Sequence, residues 1–269
     1  MPRSNFIDSG PRIQPPSRSL GILLVALVAT WLAFAISINW ASSPKDLFWL
    51  LTGDTERILR GEFWRLLTAP FMHDPEGSAG FSHILSTVIG LFFLAPALES
   101  EWGTRRLLRF LAISSVFAYS VQWLLCIVLP AGVVERLVPA HWFGAMPALE
   151  AVAIAFALSM RDRNVLLFFF LPIGSRGLLL ATIGISAALV AAGAIGPSGA
   201  ISPFAGMLAG WLFGGSTPSP ARKLWLRWRL RRLESEAVAD RARRRTTAKR
   251  RFEVLPGGLD KRDKDRYLH

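Results

Sequence analysis

The sequence predicts an all-α polytopic membrane protein: a bundle of six membrane-spanning helices followed by a basic cytoplasmic C-terminal helix. Three observations carry this. Of 269 residues, 52% are hydrophobic and the mean hydropathy is +0.37, too apolar for an ordinary soluble domain and enough for about six spans of ~20 residues. The net charge of +12 is lopsided, because residues 216–269 alone hold 17 Lys/Arg against seven Asp/Glu. The other arginines gather at one end of successive apolar runs, at 3/12/18, 105/106/109 and 161/163/176, while the opposite loops hold only Lys45, Arg57, Arg60, Arg65 and Arg136, mostly balanced by acids. By the positive-inside rule, both termini are cytoplasmic.

Taken in order, residues 1–19 form a cytoplasmic lead with Arg3, Arg12 and Arg18 and little periodicity, expected to be disordered. The run 20–40 is longer than a signal-peptide core and lacks a small-x-small exit, so it reads as a retained first span with Trp40 at the outer interface. The loop 41–80 contains a helical-looking piece around Phe48 to Glu62, where aromatics and leucines alternate with charges as in a segment lying in the interface. A second span is expected over 81–98 and a third over 108–129, ending before Pro130. After the loop 130–142 comes a fourth span over 143–160. Val165 to Ile173 is apolar but short and interrupted by Pro172, an interfacial lead into a fifth span over 177–194. The uncharged turn Gly196-Pro197-Ser198-Gly199 precedes a sixth span over 200–213.

Residues 20–215 thus read as one membrane domain and 216–269 as a basic cytoplasmic tail. In the tail, Leu226, Leu230 and Leu233 make a stripe beside Trp225 and Trp228, among Arg227, Arg231 and their neighbours. That pattern suits an amphipathic helix on anionic inner-leaflet lipids. Contact with nucleic acid is the rival reading of such an arginine cluster. Beyond Pro256-Gly257-Gly258 disorder is expected. The one cysteine, Cys126, has no partner for a disulfide or a Cys-based metal site within one chain, and reads as a small apolar filler.

The chemistry is concentrated between residues 61 and 110, with Trp64-Arg65 in the first loop, Gly80-Phe81-Ser82-His83 at the head of the second span, and Leu98-Glu99 with Gly103-Thr104-Arg105-Arg106 at its foot. These motifs, in this order, resemble those of the rhomboid family of intramembrane serine proteases. The resemblance covers about residues 18–215. It implies a six-helix bundle with a nucleophilic Ser in a Gly-x-Ser-Gly motif on the fourth span, a His base on the sixth, and an oxyanion-stabilising His-x-x-x-Asn on the second. On this reading Trp64-Arg65 and the first loop are expected to anchor the protein in the outer leaflet, and Glu99 and Gly103 to close the cytoplasmic end of the second span.

Residue by residue, the nucleophile motif falls on Gly144-Ala145-Met146-Pro147-Ala148, with Met146 at the nucleophile. The base motif falls on Ser202-Pro203-Phe204-Ala205-Gly206, with Pro203 at the base, and the oxyanion pair on His83 and Thr87. A thioether has no oxygen to deprotonate and a pyrrolidine ring accepts no proton in a peptide, so the family's covalent step and its base catalysis both lose their groups. Pro147 is also expected to bias residue 146 away from helical geometry. No catalytic residue and no cofactor is therefore expected. His73 and His83 lack a third ligand at a recognisable spacing, so no metal is expected either.

The small residues Gly206 and Gly210, like Gly144 to Ala148, have the spacing that lets helices approach closely in lipid. Glu150 stands one helical turn beyond Met146. An ionisable group at that depth normally faces protein or water, so it is expected to project into the hollow left by the dyad, near His83 or Ser202. The function this points to is non-catalytic: an inner-membrane binder of transmembrane segments of client proteins, a pseudoprotease of the rhomboid kind. Two other readings stand beside it. One is an active endopeptidase with a non-standard dyad such as His83 and Ser86; the other is lipid or small-solute handling through the vacated cavity. The sequence says nothing of oligomeric state.

Overall fold

The computed structural model describes residues 15–160, 164–167, 171–215 and 219–251. The expected disorder at the amino terminus and beyond Pro256 concerns residues that lie, for the most part, outside that range. The described chain is helical but for one short hairpin. Three helices are long and apolar enough to cross a membrane: α1 (Arg18–Asn39), α5 (Gly77–Trp102) and α6 (Thr104–Val128). Three apolar helices are shorter, α8 (Met146–Ser159), α9 (Ser175–Ala191) and α10 (Ile201–Phe213).

The core forms around α8. Its residues from Pro147 to Ala157 are buried on nearly every side except at Leu149 and Glu150. Alanines supply most of that surface, so neighbouring helices come close. Gly90 of α5 leaves room for Leu149, since a Cβ there would stand 2.6 Å from the Leu149 methyl. On the opposite flank α10 lies backbone to backbone on α8: a Cβ at Gly206 would stand 2.2 Å from the Pro147 carbonyl oxygen, and one at Gly210 2.5 Å from that of Ala151. With little hydrophobic drive between helices in lipid, such close contact is what holds a bundle together.

α1 docks on α5 through Leu20, Leu24 and Leu27 and is pinned at both ends. At one end Ser17 caps α1, accepting from the Leu20 N–H at 3.3 Å, and gives its own N–H (3.1 Å) and hydroxyl (2.5 Å) to the Glu99 carboxylate. At the other, the Trp31 indole and Asn39 amide donate to the carbonyls of Asp74 (2.8 Å) and Pro75 (3.0 Å). α5 and α6 are joined by the single residue Gly103, at φ +80, a conformation only glycine takes without strain.

The first loop is broken where a single helical piece was expected. α2 (Asp46–Leu51) and α3 (Thr55–Leu59) are separated at Gly53, which pairs with Trp142 through two backbone hydrogen bonds and lies under its indole. No side chain fits there, so the chain breaks to let the ring in. α4 (Arg65–Thr68) and a 3₁₀ turn (Ala69–Phe71) follow, and α7 (Ala131–Leu137) occupies the loop after α6. The stretch expected to lead into the fifth span holds an antiparallel hairpin, β1 (Asn164–Leu167) paired with β2 (Leu171–Gly174). Pro172 bars a helix there and is tolerated in an edge strand.

α11 (Pro220–Arg251) runs on as a separate unit beginning near Arg222. Its Trp225, Leu226, Trp228, Leu230 and Leu233 are all exposed. The Arg229 and Arg232 guanidinium groups lie over the rings of Trp225 and Trp228 at 5.2 and 5.9 Å. Arg227 and Arg231 are exposed on the same helix.

Candidate functional site

The first loop is positioned by a buried arginine. Arg65, 3% exposed, donates through Nη1 to the carbonyls of Trp49 (2.5 Å) and Thr52 (2.7 Å), and through Nε to Glu62 (2.7 Å). It thereby satisfies the carbonyls left open where α2 ends. Thr68 adds a bond to the Leu51 carbonyl at 2.7 Å. Trp64, its neighbour in the motif, is by contrast half exposed and makes one long contact of 3.4 Å to the Leu50 carbonyl.

This loop delivers His73 to the head of α5, where it meets His83 with ring centroids 5.0 Å apart. The His83 ring covers the α-carbon of Gly144, where a Cβ would stand 2.3 Å from its Cε1. Gly144 can sit so close because it has no side chain and because its φ of +111 suits glycine. Both His83 nitrogens and Nε2 of His73 are buried with no hydrogen-bond partner. Nδ1 of His73 has only the Phe71 carbonyl at 3.4 Å. Burial, and then the neighbouring imidazole, hold His73 neutral, with its pKa lowered to about 3.

The hydroxyls nearby are engaged elsewhere. Ser86 and Thr87 both donate to the His83 backbone carbonyl, at 3.0 and 2.9 Å, and not to its ring. Ser202 donates to the Ser198 carbonyl at 2.6 Å. Spacing along α5 puts Ser86 within reach of His83, but the backbone oxygen one turn back is nearer at hand.

Met146 and Pro203 stand in the first turns of α8 and α10, both half-buried. The expectation that Pro147 would push residue 146 out of helical geometry is corrected: α8 begins at Met146 with Pro147 in its first turn, where the missing N–H has no intrahelical acceptor to lose. A second correction concerns Glu150, whose carboxylate accepts from the Ser186 hydroxyl of α9 at 3.1 Å rather than from a group near His83 or Ser202. Spacing gave its angle from Met146 on α8, but not which neighbour occupies that flank. α9 itself buries only Ser175, Leu178 and Ser186, and carries Leu180, Ile183, Ile185 and Leu189 exposed. Among the described residues α9 packs mainly on α8, and α5 and α9 share no packed face.

Two residues that matter here were not singled out from the sequence. Tyr119 of α6, fully buried and stacked on Trp142, donates its hydroxyl to the Gly144 carbonyl at 2.6 Å. Gln122, one turn on, accepts the Ser202 N–H at 3.0 Å through Oε1. One face of α6 thus holds the starts of both α8 and α10. The signal in the sequence was faint: a Tyr and a Gln three apart, in a span that also carries Ser114, Ser115 and Ser120.

An apolar cavity of about 540 Å³ lies between α1 and α6, with Leu67, Pro70 and Phe71 of the first loop and Ala145 and Ala148 at the head of α8 also in its lining.

Comparison with known proteins agrees with this architecture. Residues 21–214 match the family described as "Eukaryotic integral membrane protein (DUF1751)". A stretch of 94 residues is 32% identical to the Bacillus subtilis (strain 168) protein named "Putative rhomboid protease YdcA", covering 35% of this chain and 43% of that relative. The match therefore spans less than half the length of that protein. With apolar helices, a family match over most of the chain and a rhomboid-named relative, the conclusion is direct: the chain is an integral membrane protein that belongs to the DUF1751 family of rhomboid-like membrane proteins.

Proposed function

We propose that this protein is a six-span rhomboid-like protein of the inner membrane that does not cleave peptides and instead binds transmembrane segments of client proteins. The shorter helices α8, α9 and α10 complete the six spans, both termini are cytoplasmic, and the basic helix α11 rests on anionic lipids. The observation that carries this reading is the chemistry at the heads of α8 and α10. Met146 and Pro203 offer a thioether and a pyrrolidine ring, while Ser86, Thr87 and Ser202 give their protons to backbone carbonyls. Loss of either member of a Ser–His pair typically costs on the order of a million-fold in turnover.

Binding is supported by the sparse packing between α5 and α9 and by the polar pair Glu150–Ser186, which joins α8 to α9. A client helix that enters there replaces lipid against apolar side chains and gains a carboxyl and a hydroxyl as hydrogen-bond partners. The test is a photocrosslinking residue placed at position 146 in living membranes, paired with proteolysis assays on the purified chain in liposomes. Crosslinks to membrane-embedded segments with no cleavage above a denatured control are expected. Cleavage of a peptide, or fluorophosphonate labelling lost in Ser86→Ala, overturns the reading in favour of a protease. Capture of lipid alone, with flux through liposomes that depends on Glu150, overturns it in favour of solute or lipid handling.

A further inference from the structure

A second site lies at the opposite end of α5, away from the histidines. Around the Gly103 turn a cavity of about 620 Å³ opens between the foot of α5, the first three turns of α6 and the end of α10. Arg105, Arg106 and Arg109 line one part of it, and Trp102, Phe110, Ile113 and Phe213 the rest.

The charged part is built for an anion. Arg105 and Arg109 are one helical turn apart, a spacing at which like charges repel unless something negative sits between them. Both are exposed, and among the described residues neither has a carboxylate partner; the Arg106 guanidinium instead lies 4.7 Å above the Trp102 ring. The arginines of the first loop differ: Arg57 and Arg65 pair with Glu62, and Arg60 with Glu56. The buried acid of this turn, Glu99, is already taken up by Ser17. The first turn of α6 also has no acidic residue and no side-chain cap, its N-cap being Gly103. Its N–H groups therefore add their partial positive charge at the same point.

The other part is built for hydrocarbon. Phe110 is buried, Ile113 is half exposed, and Phe213 meets Phe117 edge-on, so the walls are apolar where the cavity leaves the arginines. A soluble anion has no use for those walls. α5 has 26 residues, about 39 Å at the helical rise, so its foot reaches headgroup depth.

We infer that this cavity is a binding site for an anionic phospholipid, with the phosphate between Arg105, Arg109 and the α6 N-terminus and an acyl chain along Ile113 and Phe213. It is separate from the lipid contact ascribed to α11 and does not depend on client binding. Bound there, the lipid ties the α5–α6 turn to the end of α10.

The experiment uses the full chain in phosphatidylcholine nanodiscs doped with phosphatidylglycerol carrying a photoreactive acyl chain, with crosslinks mapped by peptide mass spectrometry. Crosslinks on the segment 110–113 and on Phe213 are expected, displaced by unlabelled phosphatidylglycerol. They should fall about thirtyfold in Arg105→Gln/Arg109→Gln, each arginine contributing roughly fivefold near a charged surface, while crosslinks on α11 persist. Ile113→Trp keeps every arginine and fills the apolar wall, so it should lose the same crosslinks even if the double variant folds poorly. Equal labelling by the phosphatidylcholine analogue, displacement by inorganic phosphate as effective as by the lipid, or undiminished crosslinking in both variants overturns the assignment.

Discussion

Of the seams that α8 makes with its neighbours, those with α10 and α9 are built differently. Against α10 it is backbone on backbone, with Gly206 and Gly210 lying on the carbonyls of Pro147 and Ala151. Against α9 it offers the Glu150–Ser186 hydrogen bond and few buried partners, and the far side of α9 stays exposed. The first seam has no slack, since a contact without side chains cannot be repacked by changing rotamers. The second can part at the loss of one polar bond and some apolar contact. One central helix can thus keep a rigid half and an adjustable half, and the client binding proposed above would use both.

The largest expected effect comes from breaking the rigid seam. Gly206→Leu forces side-chain atoms into the Pro147 carbonyl and should cost on the order of 4 kcal/mol or prevent assembly, read as loss of a monodisperse species in detergent. A marked but smaller effect should come from acid, which reaches the histidine mouth and leaves the glycine seam alone. His73 has a pKa of about 3 in the folded chain against an ordinary 6.5. The unfolded chain therefore binds the extra proton between those values, so stability is full above pH 6.5 and declines as the pH falls towards 3. Thermal unfolding across that window should flatten in His73→Gln relative to wild type; a parallel slope removes His73 as the cause.

Loosening the adjustable seam should cost little. Ser186→Ala removes one hydrogen bond, worth about 0.6 kcal/mol within a membrane, so the melting temperature should barely move. Crosslinking of clients from position 146 should change nonetheless. A melting loss as large as that of Gly206→Leu would mean the two seams are equivalent. The smallest effect is expected from Met146→Ser, which restores a hydroxyl but leaves Pro203 at the base position. Peptide cleavage should stay at background, and measurable turnover would show that another base is within reach.

Membrane helicity and rhomboid-like family membership were legible in the chain, because both rest on local features: apolar runs bounded by arginines, and short motifs in a fixed order. The site was legible only in part. Glu150 could be placed on a helical face but not against Ser186, because the facing helix begins 25 residues further on and its rotation is set by packing. Tyr119 and Gln122 passed as ordinary span residues, since what they hold, the starts of α8 and α10, is brought to them by the fold. The split between α2 and α3 depended on Trp142, far along the chain, settling onto Gly53.

The sequence by itself therefore determined which segments are apolar helices, what family the chain belongs to, and that sulfur and proline stand at residues 146 and 203. Which helices touch through backbone, which through one hydrogen bond, and where three arginines are left facing a cavity were decided only by the tertiary structure. The reason is physical: hydropathy is a property of each segment alone, whereas the closeness of two helices depends on the shapes of both.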